Sequence, residues 1–206
     1  MRRRIDAHVV MEKIIPRITE EYRKLYDIPE DHESMAVFSA DCEDVMWLAV
    51  DDATKKAKIK VIQIETVYGG VDHSWSRYGG EITAIISGEK VADVKSGLHY
   101  AKDYIENKSG NYRLNEDGTL GYYVDYVPRI GKYYQESLGL SEGTSIAYLV
   151  SAPVESMYGL DKALKAAEGQ DKQNVLMVEF LGDEISNYGA NSLGGDMITS
   201  LGGNLV

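Results

Sequence analysis

Apolar and polar residues follow one another along the first half of the chain in an ordered series of strand and helix patterns. Apolar-rich or alternating runs predict strands, and apolar residues that recur every three or four positions predict amphipathic helices. The predicted strands lie at 7–16, 34–40, 58–68 and 80–88, and the predicted helices lie at 43–57 and 91–105. The first half is therefore expected to combine a sheet with at least two helices.

The second half begins with a hairpin pattern. Asp117-Gly118 separates two strand-like runs in "YRLNEDGTLGYYVDYVP", and this dipeptide is a strong signal for a tight turn. A strand is predicted in "SIAYLVSAP" at 145–153, and apolar residues at helical spacing from Met157 onward predict a helix. The order strand, then amphipathic helix, repeats the order of the first half.

Two stretches of similar sequence open the two halves. "IPRITEEYRKLYDIPEDHES" in the first half is matched by "VPRIGKYYQESLGLSEGTS" in the second, with Pro16 aligned to Pro128 and Tyr22 to Tyr134. A match of this length that recurs at the spacing of a small domain indicates duplication.

The similarity continues beyond these openings. "DDATKKA" in the first half meets "LDKALKAA" in the second, so that Asp51 aligns with Asp161 and Lys55 with Lys165. Because two successive elements match, the sequence predicts tandem α+β domains at 1–108 and 109–206, each an antiparallel sheet flanked by helices.

The paired prolines predict two equivalent helix starts. Proline is favoured in the first turn of a helix, where its missing N–H costs nothing. We therefore expect Pro16 and Pro128 each to begin a helix, the first of which runs to about Leu25. Arg17 and Arg129 are expected in equivalent positions of the two domains.

Charge and cysteine content exclude several classes of function. The formal net charge is −11, which repels a phosphate backbone, so nucleic acid is not an expected partner. Cys42 is the only cysteine, so no internal disulfide is possible, and a reducing compartment such as the cytoplasm is expected. Charged residues interrupt the apolar N-terminal stretch, and no signal peptide or membrane span is predicted.

Residues that could perform catalysis or bind a metal are scattered. The four histidines, at 8, 32, 73 and 99, lack metal-ligand spacing, although His73 lies in a glycine-rich loop. Cys42 has acidic neighbours, which raise a thiol pKa, so a neutral thiol is expected in place of a catalytic thiolate. No nucleotide-binding glycine motif is complete. We expect no catalytic residue, no metal and no cofactor.

Acidic residues beside glycine form the one concentration of polar chemistry. Asp41, Glu43 and Asp44 lie at a predicted strand-to-helix junction, and Glu81 follows Gly79-Gly80 at the start of a strand. Helix capping and solvent exposure could explain each of these acids alone. Together they could line a polar opening that favours small neutral or cationic molecules over anions. Cation binding should then weaken as the pH falls toward about 5.

Three segments resemble a known family. "SADCEDVMWLAVDDATKKA", "GEITAIISG" followed by "VADVKSGL", and "AYLVSAPVESMYGLDKALKAA" are similar to the L-type shell proteins of ethanolamine-utilisation bacterial microcompartments. The resemblance runs from about residue 5 to 167. It implies two permuted microcompartment-type domains in tandem, which agrees with the repeat found independently.

The resemblance also implies an assembly and a site. Three chains would form a pseudo-hexagonal disc that tiles a protein shell together with other shell proteins, with small pores in each subunit and a larger gated pore on the threefold axis. Asp41, Glu43, Asp44 and Glu81 match pore-lining positions of the family, and Tyr112 matches an aromatic one. The metabolite would be ethanolamine or a related small molecule.

The chain departs from the family in its last forty residues and in one loop. The C-terminal stretch is rich in glycine where the family has a long helix, and the loop at 71–80 differs from that of the ethanolamine proteins.

Two other functional classes stay open. A regulatory module of paired small-molecule-binding domains would show a similar repeat. An enzyme is the weaker alternative, because no nucleophile, base and orienting group occur together.

Overall fold

The fold is given by a computed structural model that describes residues 4–66, 80–113, 115–117, 121–151, 153–167, 178–181 and 184–187. The strands are β1 (Arg4–Asp6), β2 (Val9–Ile15), β3 (Ser34–Ala40), β4 (Lys60–Thr66), β5 (Ile82–Gly88), β6 (Gly110–Arg113), β7 (Gly121–Val127), β8 (Ile146–Val150), β9 (Val178–Leu181) and β10 (Glu184–Asn187). The helices are α1 (Glu20–Leu25), α2 (Glu43–Thr54), α3 (Val91–Asp103), α4 (Lys132–Leu138) and α5 (Pro153–Ala167), and a π-helical turn, Tyr104–Lys108, extends α3.

The chain divides into two compact units. The first unit holds residues 4–111 together with 131–139, which carry α4. The second unit holds residues 112–130 and the chain from 140 onward. Helix α4 thus belongs to the first unit although it follows β7 in sequence. The predicted domain limits, 1–108 and 109–206, stay a prediction.

The first unit is built on a four-stranded sheet in the order β2-β3-β5-β4, with every neighbouring pair antiparallel. Helices α2 and α3 pack on each other and against this sheet, and β3 is buried along nearly its whole length. Ile18 and Ile28, which flank α1, form a cluster with Met35 and Ile85 of the sheet. Burial of these apolar side chains supplies the main stabilising term for the unit.

The second unit contains an antiparallel hairpin of β6 and β7, with β8 beside β7. Asp117 lies between β6 and β7, so the predicted hairpin is confirmed, although Gly118 lies outside the described residues. Tyr123 and Tyr148 meet edge to face inside this unit, with ring centroids 5.4 Å apart. Helix α5 follows β8 as predicted, and β9 pairs with β10 antiparallel. Both units combine an antiparallel sheet with helices, which confirms the α+β class.

The expectation that Pro16 and Pro128 begin helices is wrong. Both prolines lie in bends just after a strand, and the helices start four residues later, at Glu20 and Lys132. The bend has its own hydrogen bonds. The Ser34 hydroxyl donates to the Pro16 carbonyl at 2.7 Å.

The same bend occurs in the second copy. The Ser145 hydroxyl donates to the Pro128 carbonyl, also at 2.7 Å. Ile18 N–H donates to Glu33 O at 2.8 Å, and Ile130 N–H donates to Thr144 O at 2.9 Å. The two copies therefore share the bend bond for bond, and Arg17 and Arg129, one residue after each proline, occupy equivalent positions.

Candidate functional site

The predicted acidic site lies where β3 ends and α2 begins. Cys42 is the last residue before the helix and has an extended backbone, so Glu43 and Asp44 fall in the first turn of α2. Carboxylates are favoured there because the unpaired N–H groups of the first turn give that end of a helix a partial positive charge. Glu43 and Asp44 therefore lie together at one end of the first sheet.

Asp41 is bound by His8, the residue just before β2. It is 2% exposed, and its Oδ1 accepts a hydrogen bond of 2.6 Å from the His8 backbone N–H. Its Oδ2 lies 2.9 Å from His8 Nδ1, and the His8 side chain is 59% exposed. Both carboxylate oxygens of Asp41 are thus engaged by His8. The pair joins a buried carboxylate to an imidazole that reaches solvent.

Glu43 and Glu81 lie at the same edge of the sheet. Thr66, the last residue of β4, donates its hydroxyl to Glu43 Oε1 at 2.9 Å. Thr66 is the register partner of Ile82, and Glu81 immediately precedes Ile82. Strand pairing and the Thr66 bond therefore place two acids that are far apart in sequence at one edge of the sheet. Asp44, on the first turn of α2, is 9% exposed at this edge.

Tyr112 lies in β6 and belongs to the second unit. Its ring stacks on that of Tyr122 across the β6–β7 pair, with centroids 5.4 Å apart. Aromatic cross-strand pairs of this kind stabilise a hairpin and leave one ring face for another contact. The assignment of Asp41, Glu43, Asp44, Glu81 and Tyr112 to a pore stays a prediction.

The Cys42 thiol is buried and unsuited to nucleophilic chemistry. Burial, together with the negative charge of Asp44, raises the pKa of the thiol to about 12. Asn111 Nδ2 lies 3.3 Å from the sulfur and donates to it. The expectation of a neutral thiol is confirmed, whereas the Asn111 contact has no signal in the sequence.

The histidines that the structure describes are separate from one another. His32 Nδ1 lies 2.7 Å from the Ser87 hydroxyl, and partial burial lowers the pKa of the imidazole. His99 lies beside Tyr100 on α3, and His73 falls outside the described residues. Among the residues that the structure describes, no group of three or more His, Cys, Asp or Glu side chains could hold a metal ion.

A buried carboxylate that the sequence does not reveal as functional holds α4 in the first unit. Asp51, on α2, accepts hydrogen bonds from the Gly131 N–H at 2.8 Å and from the Tyr134 N–H at 3.1 Å. Lys55 Nζ lies 3.1 Å from the same carboxylate. Burial raises the pKa of Asp51, while Lys55 and the two N–H donors act in the opposite direction. Asp51 thus caps the start of a helix that lies eighty positions further along the chain.

Gly131 is required at this contact. A Cβ there would overlap the carbonyl oxygen of Asp51 and the hydroxyl of Thr54. Beside it, the rings of Trp47 and Tyr133 stack with centroids 6.1 Å apart. The only sequence signal for the contact is the alignment of Asp51 with Asp161, which marks the position as common to both copies without giving its role.

A cleft of about 630 Å³ opens next to this contact in the first unit. Its walls come from the end of α2, the start of β4 and the start of α4. Five lysines line it, at 55, 56, 58, 60 and 132, with His32, Glu89 and Glu136. Lys55 and Lys56 form ion pairs with Asp51 and Asp52, so part of this positive charge is neutralised within the protein.

Comparison with known proteins identifies the class to which this fold belongs. The model of the BMC domain matches residues 34–115, which contain the β3–α2 junction, β4, β5 and α3. The match agrees with the microcompartment-type domain that the sequence resemblance implies. No helix among the described residues is both long enough and apolar enough to cross a membrane.

The bacterial microcompartment shell protein EutL of Clostridium perfringens (strain 13 / Type A) is 38% identical to this chain over 164 residues, covering 80% of the chain and 76% of the relative. The crystal structure of the ethanolamine utilization protein EutL from Leptotrichia buccalis C-1013-b superposes with a TM-score of 0.71 at 39% identity, covering 80% of this chain and 76% of that one. EtuB from Clostridium kluyveri shares the fold at 17% identity, with a TM-score of 0.64 over 93% of this chain and 89% of its own.

The chain belongs to the EutL-type shell proteins of bacterial microcompartments. The resemblance inferred from sequence is confirmed, and so is the fold of paired microcompartment-type domains. Its named relatives are structural shell proteins.

Proposed function

We propose that this chain assembles as a homotrimer that tiles a microcompartment shell, and that it admits small neutral or cationic metabolites through an acidic opening. The observation that supports the proposal is that Glu43, Asp44 and Glu81 all lie at one edge of the first sheet. The opening would lie at the end of β4 and the start of β5 of the first unit. Tyr112 is the aromatic residue that we propose for the pore.

Electrostatics supports the choice of cations over anions. A small ammonium group within ~4 Å of one carboxylate gains on the order of 4 kcal/mol at an effective dielectric constant of 20, before desolvation is subtracted. An anion at the same place is disfavoured by a similar amount. The net charge of −11 extends this preference beyond the site, because it attracts cations to the whole surface.

Family membership supports the assembly. Two similar domains per chain, arranged as three chains, provide six similar edges, and such a ring closes on itself. The EutL relatives are shell proteins, and that of Leptotrichia buccalis is named an ethanolamine utilization protein. Ethanolamine, a small cation at neutral pH, is therefore the first metabolite to test.

Two measurements test the assembly. Light scattering should give a mass about three times that of the 22.9 kDa chain. Electron microscopy of the concentrated protein should show flat hexagonal sheets. Isolated particles with micromolar affinity for an effector would instead support a regulatory module of paired binding domains, and a stable monomer would contradict the trimer.

Calorimetry tests the acidic opening. Ethanolamine should bind the wild-type protein, and the triple variant Glu43→Gln, Asp44→Asn and Glu81→Gln should lose that binding. The control removes three exposed acids elsewhere, as Asp27→Asn, Glu30→Gln and Glu142→Gln, and so keeps the same net charge as the triple variant.

The control variant should bind as the wild type does. Equal binding by the wild type and both variants would show that the three acids are only a solvated surface. Loss of binding in the control as well would show that net charge, and no local site, attracts the cation.

A further inference from the structure

The lysine-lined cleft lies at the opposite end of the first sheet from the acidic residues. Glu43 and Glu81 lie at the edge formed by the end of β4 and the start of β5, whereas the cleft opens at Lys60, where β4 begins. Because β4 has seven residues, its two ends are roughly 20 Å apart. The cleft is therefore a separate feature of the first unit.

Interactions within the protein account for only two of the five lysines. Lys55 and Lys56 follow the end of α2, where positive charge is favoured, and they pair with Asp51 and Asp52. The other three lysines have no ion-pair partner among the residues that the structure describes. They are Lys58, Lys60 and Lys132.

The three unpaired lysines come from separate stretches of the first unit. Lys58 precedes β4, Lys60 begins β4 and Lys132 begins α4, and all three are exposed residues that line the cleft. Two exposed acids of the cleft, Glu89 and Glu136, offset their charge only in part. Like charges that face one cleft repel one another, and a bound anion would relieve that repulsion.

The walls beside the lysines add a polar group and an aromatic group. His32 Nδ1 lies 2.7 Å from the Ser87 hydroxyl, and Lys60 lies opposite Ser87 in the β4–β5 pair, so His32 and Lys60 flank the same residue. Tyr133 also lines the cleft, and its ring is fixed by stacking on Trp47. The cleft thus offers positive charge together with an aromatic ring.

The concentration of lysine is a property of the first copy. The stretch "VDDATKKAKIK" at 50–60 contains four lysines, whereas the matching stretch "LDKALKAAEGQ" at 160–170 contains two. The repeated strand and helix pattern therefore does not by itself require the positive cleft.

We propose that this cleft binds a small anion that carries phosphate groups, through Lys58, Lys60 and Lys132. A phosphate group carries up to two negative charges, and lysine binds phosphate as a point charge, so several lysines suit a phosphate better than a single carboxylate. The cleft volume of about 630 Å³ lies within the usual range of small-molecule sites. The inference does not rest on the acidic opening.

The charge of the remaining surface limits the size of the anion. The chain has a net charge of −11, but salt screens exposed charges that are more than about 8 Å away under physiological conditions. A small anion within the cleft is therefore affected mainly by the lysines that line it. An extended polyanion such as nucleic acid would also meet the acidic surface, which repels it.

Calorimetry with three compounds tests the chemistry of the ligand. Pyrophosphate supplies charge alone, adenosine supplies a flat ring alone, and ADP supplies both. Pyrophosphate and ADP should bind, and adenosine should bind at least about tenfold more weakly than ADP. A wild-type protein that binds neither phosphate compound would overturn the proposal, as would adenosine that binds as tightly as ADP.

Two triple variants with the same net charge test the location. Replacing the three unpaired lysines of the cleft, as Lys58→Gln, Lys60→Gln and Lys132→Gln, should weaken pyrophosphate binding by at least about tenfold. The control replaces three exposed lysines that lie outside the cleft and should bind as the wild type does; its changes are Lys13→Gln, Lys24→Gln and Lys95→Gln. Equal weakening in both variants would show that only the overall charge matters.

The acids of the cleft give a change in the opposite direction. Glu89→Gln with Glu136→Gln removes two negative charges that oppose the lysines, so pyrophosphate should bind several-fold more tightly to this double variant. Unchanged or weaker binding would contradict an anion site between these residues.

Chemical labelling locates the bound anion without any substitution. Acetic anhydride labels exposed lysines, and mass spectrometry identifies the labelled positions. Saturating pyrophosphate should protect the three unpaired lysines of the cleft and leave the three control lysines unprotected. Equal protection at all six positions would overturn the site, and so would a poly-glutamate peptide that binds the cleft while pyrophosphate and ADP do not. None of these outcomes depends on whether ethanolamine binds the acidic opening.

Discussion

Helices α1 and α4 begin from nearly the same sequence and stabilise their first turns in different ways. In α1, Thr19 precedes the helix and its own hydroxyl accepts from the Tyr22 N–H. In α4, Gly131 takes that place and has no side chain, and the acceptor is the Asp51 carboxylate from another helix. The difference shows how duplication produces asymmetry. With glycine in place of threonine before the helix, the helix has no cap of its own, and its first turn depends on a carboxylate from another helix.

The largest effect is expected from removing that acceptor. Asp51→Ala leaves the Gly131 and Tyr134 N–H groups and the Lys55 ammonium without their buried partner, so the free energy of unfolding should fall by about 3–5 kcal/mol. Chemical denaturation measures the loss. The neighbouring Asp52, which pairs with Lys56, gives the control, and Asp52→Ala should cost about 1 kcal/mol or less. Equal losses in the two variants would contradict the assigned role of Asp51.

A smaller loss of stability is expected from adding one carbon at Gly131. Gly131→Ala places a Cβ against the Asp51 carbonyl oxygen and the Thr54 hydroxyl, and overpacking of this kind costs about 1–3 kcal/mol. The fluorescence of Trp47, which stacks on Tyr133, should change with it, since α4 must move away. An alanine variant as stable as the wild type, with unchanged fluorescence, would show that the close approach is not needed.

The corresponding change in α1 should cost less. Thr19→Ala removes the hydroxyl cap, which is worth about 0.5–2 kcal/mol, and the 3.4 Å length of the bond places this case at the low end. Thr19→Ser keeps the hydroxyl and should retain wild-type stability in the same denaturation experiment. If both variants lose the same amount, the methyl group of Thr19 and not its hydroxyl stabilises the turn.

The smallest expected effect is a pH dependence of stability that arises from His32 in the first copy. The matching stretch of the second copy, "GLSEGTS" at 139–145, contains no histidine, so this imidazole is present in the first copy only. Burial lowers the pKa of His32 below its ordinary value of 6.5, which means that the folded protein binds the proton less readily than the unfolded chain. Its contribution to stability is therefore complete above pH 6.5 and is lost as the pH falls through the lowered pKa.

NMR titration of the imidazole should give this lowered value directly. His32→Asn should make stability less dependent on pH in the acidic range. A His32 that titrates at or above 6.5 would contradict the burial argument.

Local patterns predicted the elements well, because each pattern reports which face of an element is buried. The strand expected at 34–40 is β3 to the residue, and α2 begins at the expected Glu43. The helix starts at Pro16 and Pro128 were wrong, since proline suits a bend after a strand as well as a first helical turn. At Pro16 and Pro128, hydrogen bonds from Ser34 and Ser145 stabilise the bend. These serines are not neighbours of the prolines in sequence, so the local pattern does not reveal the bonds.

The candidate site was predictable only in part. The sequence places Asp41, Glu43 and Asp44 together because they are neighbours in the chain. The placement of Glu81 at the same edge as Glu43 follows from the β4–β5 register, which hydrophobic alternation indicates only loosely. The capping role of Asp51 could not be predicted from the sequence. A carboxylate on a buried helix face gives no indication of which distant N–H groups donate hydrogen bonds to it.

The membership of α4 in the first unit bears on how the chain folds during synthesis. A nascent chain that has reached residue 111 already contains α2, yet Trp47 and Asp51 still face water, because residues 131–139 complete that surface. The ribosome must therefore add β6, β7 and α4 before the first unit can close, although domains that are made first commonly fold first. Separate expression of the two halves would divide the first unit itself, so a cut at the boundary between the repeats yields two incomplete folding units.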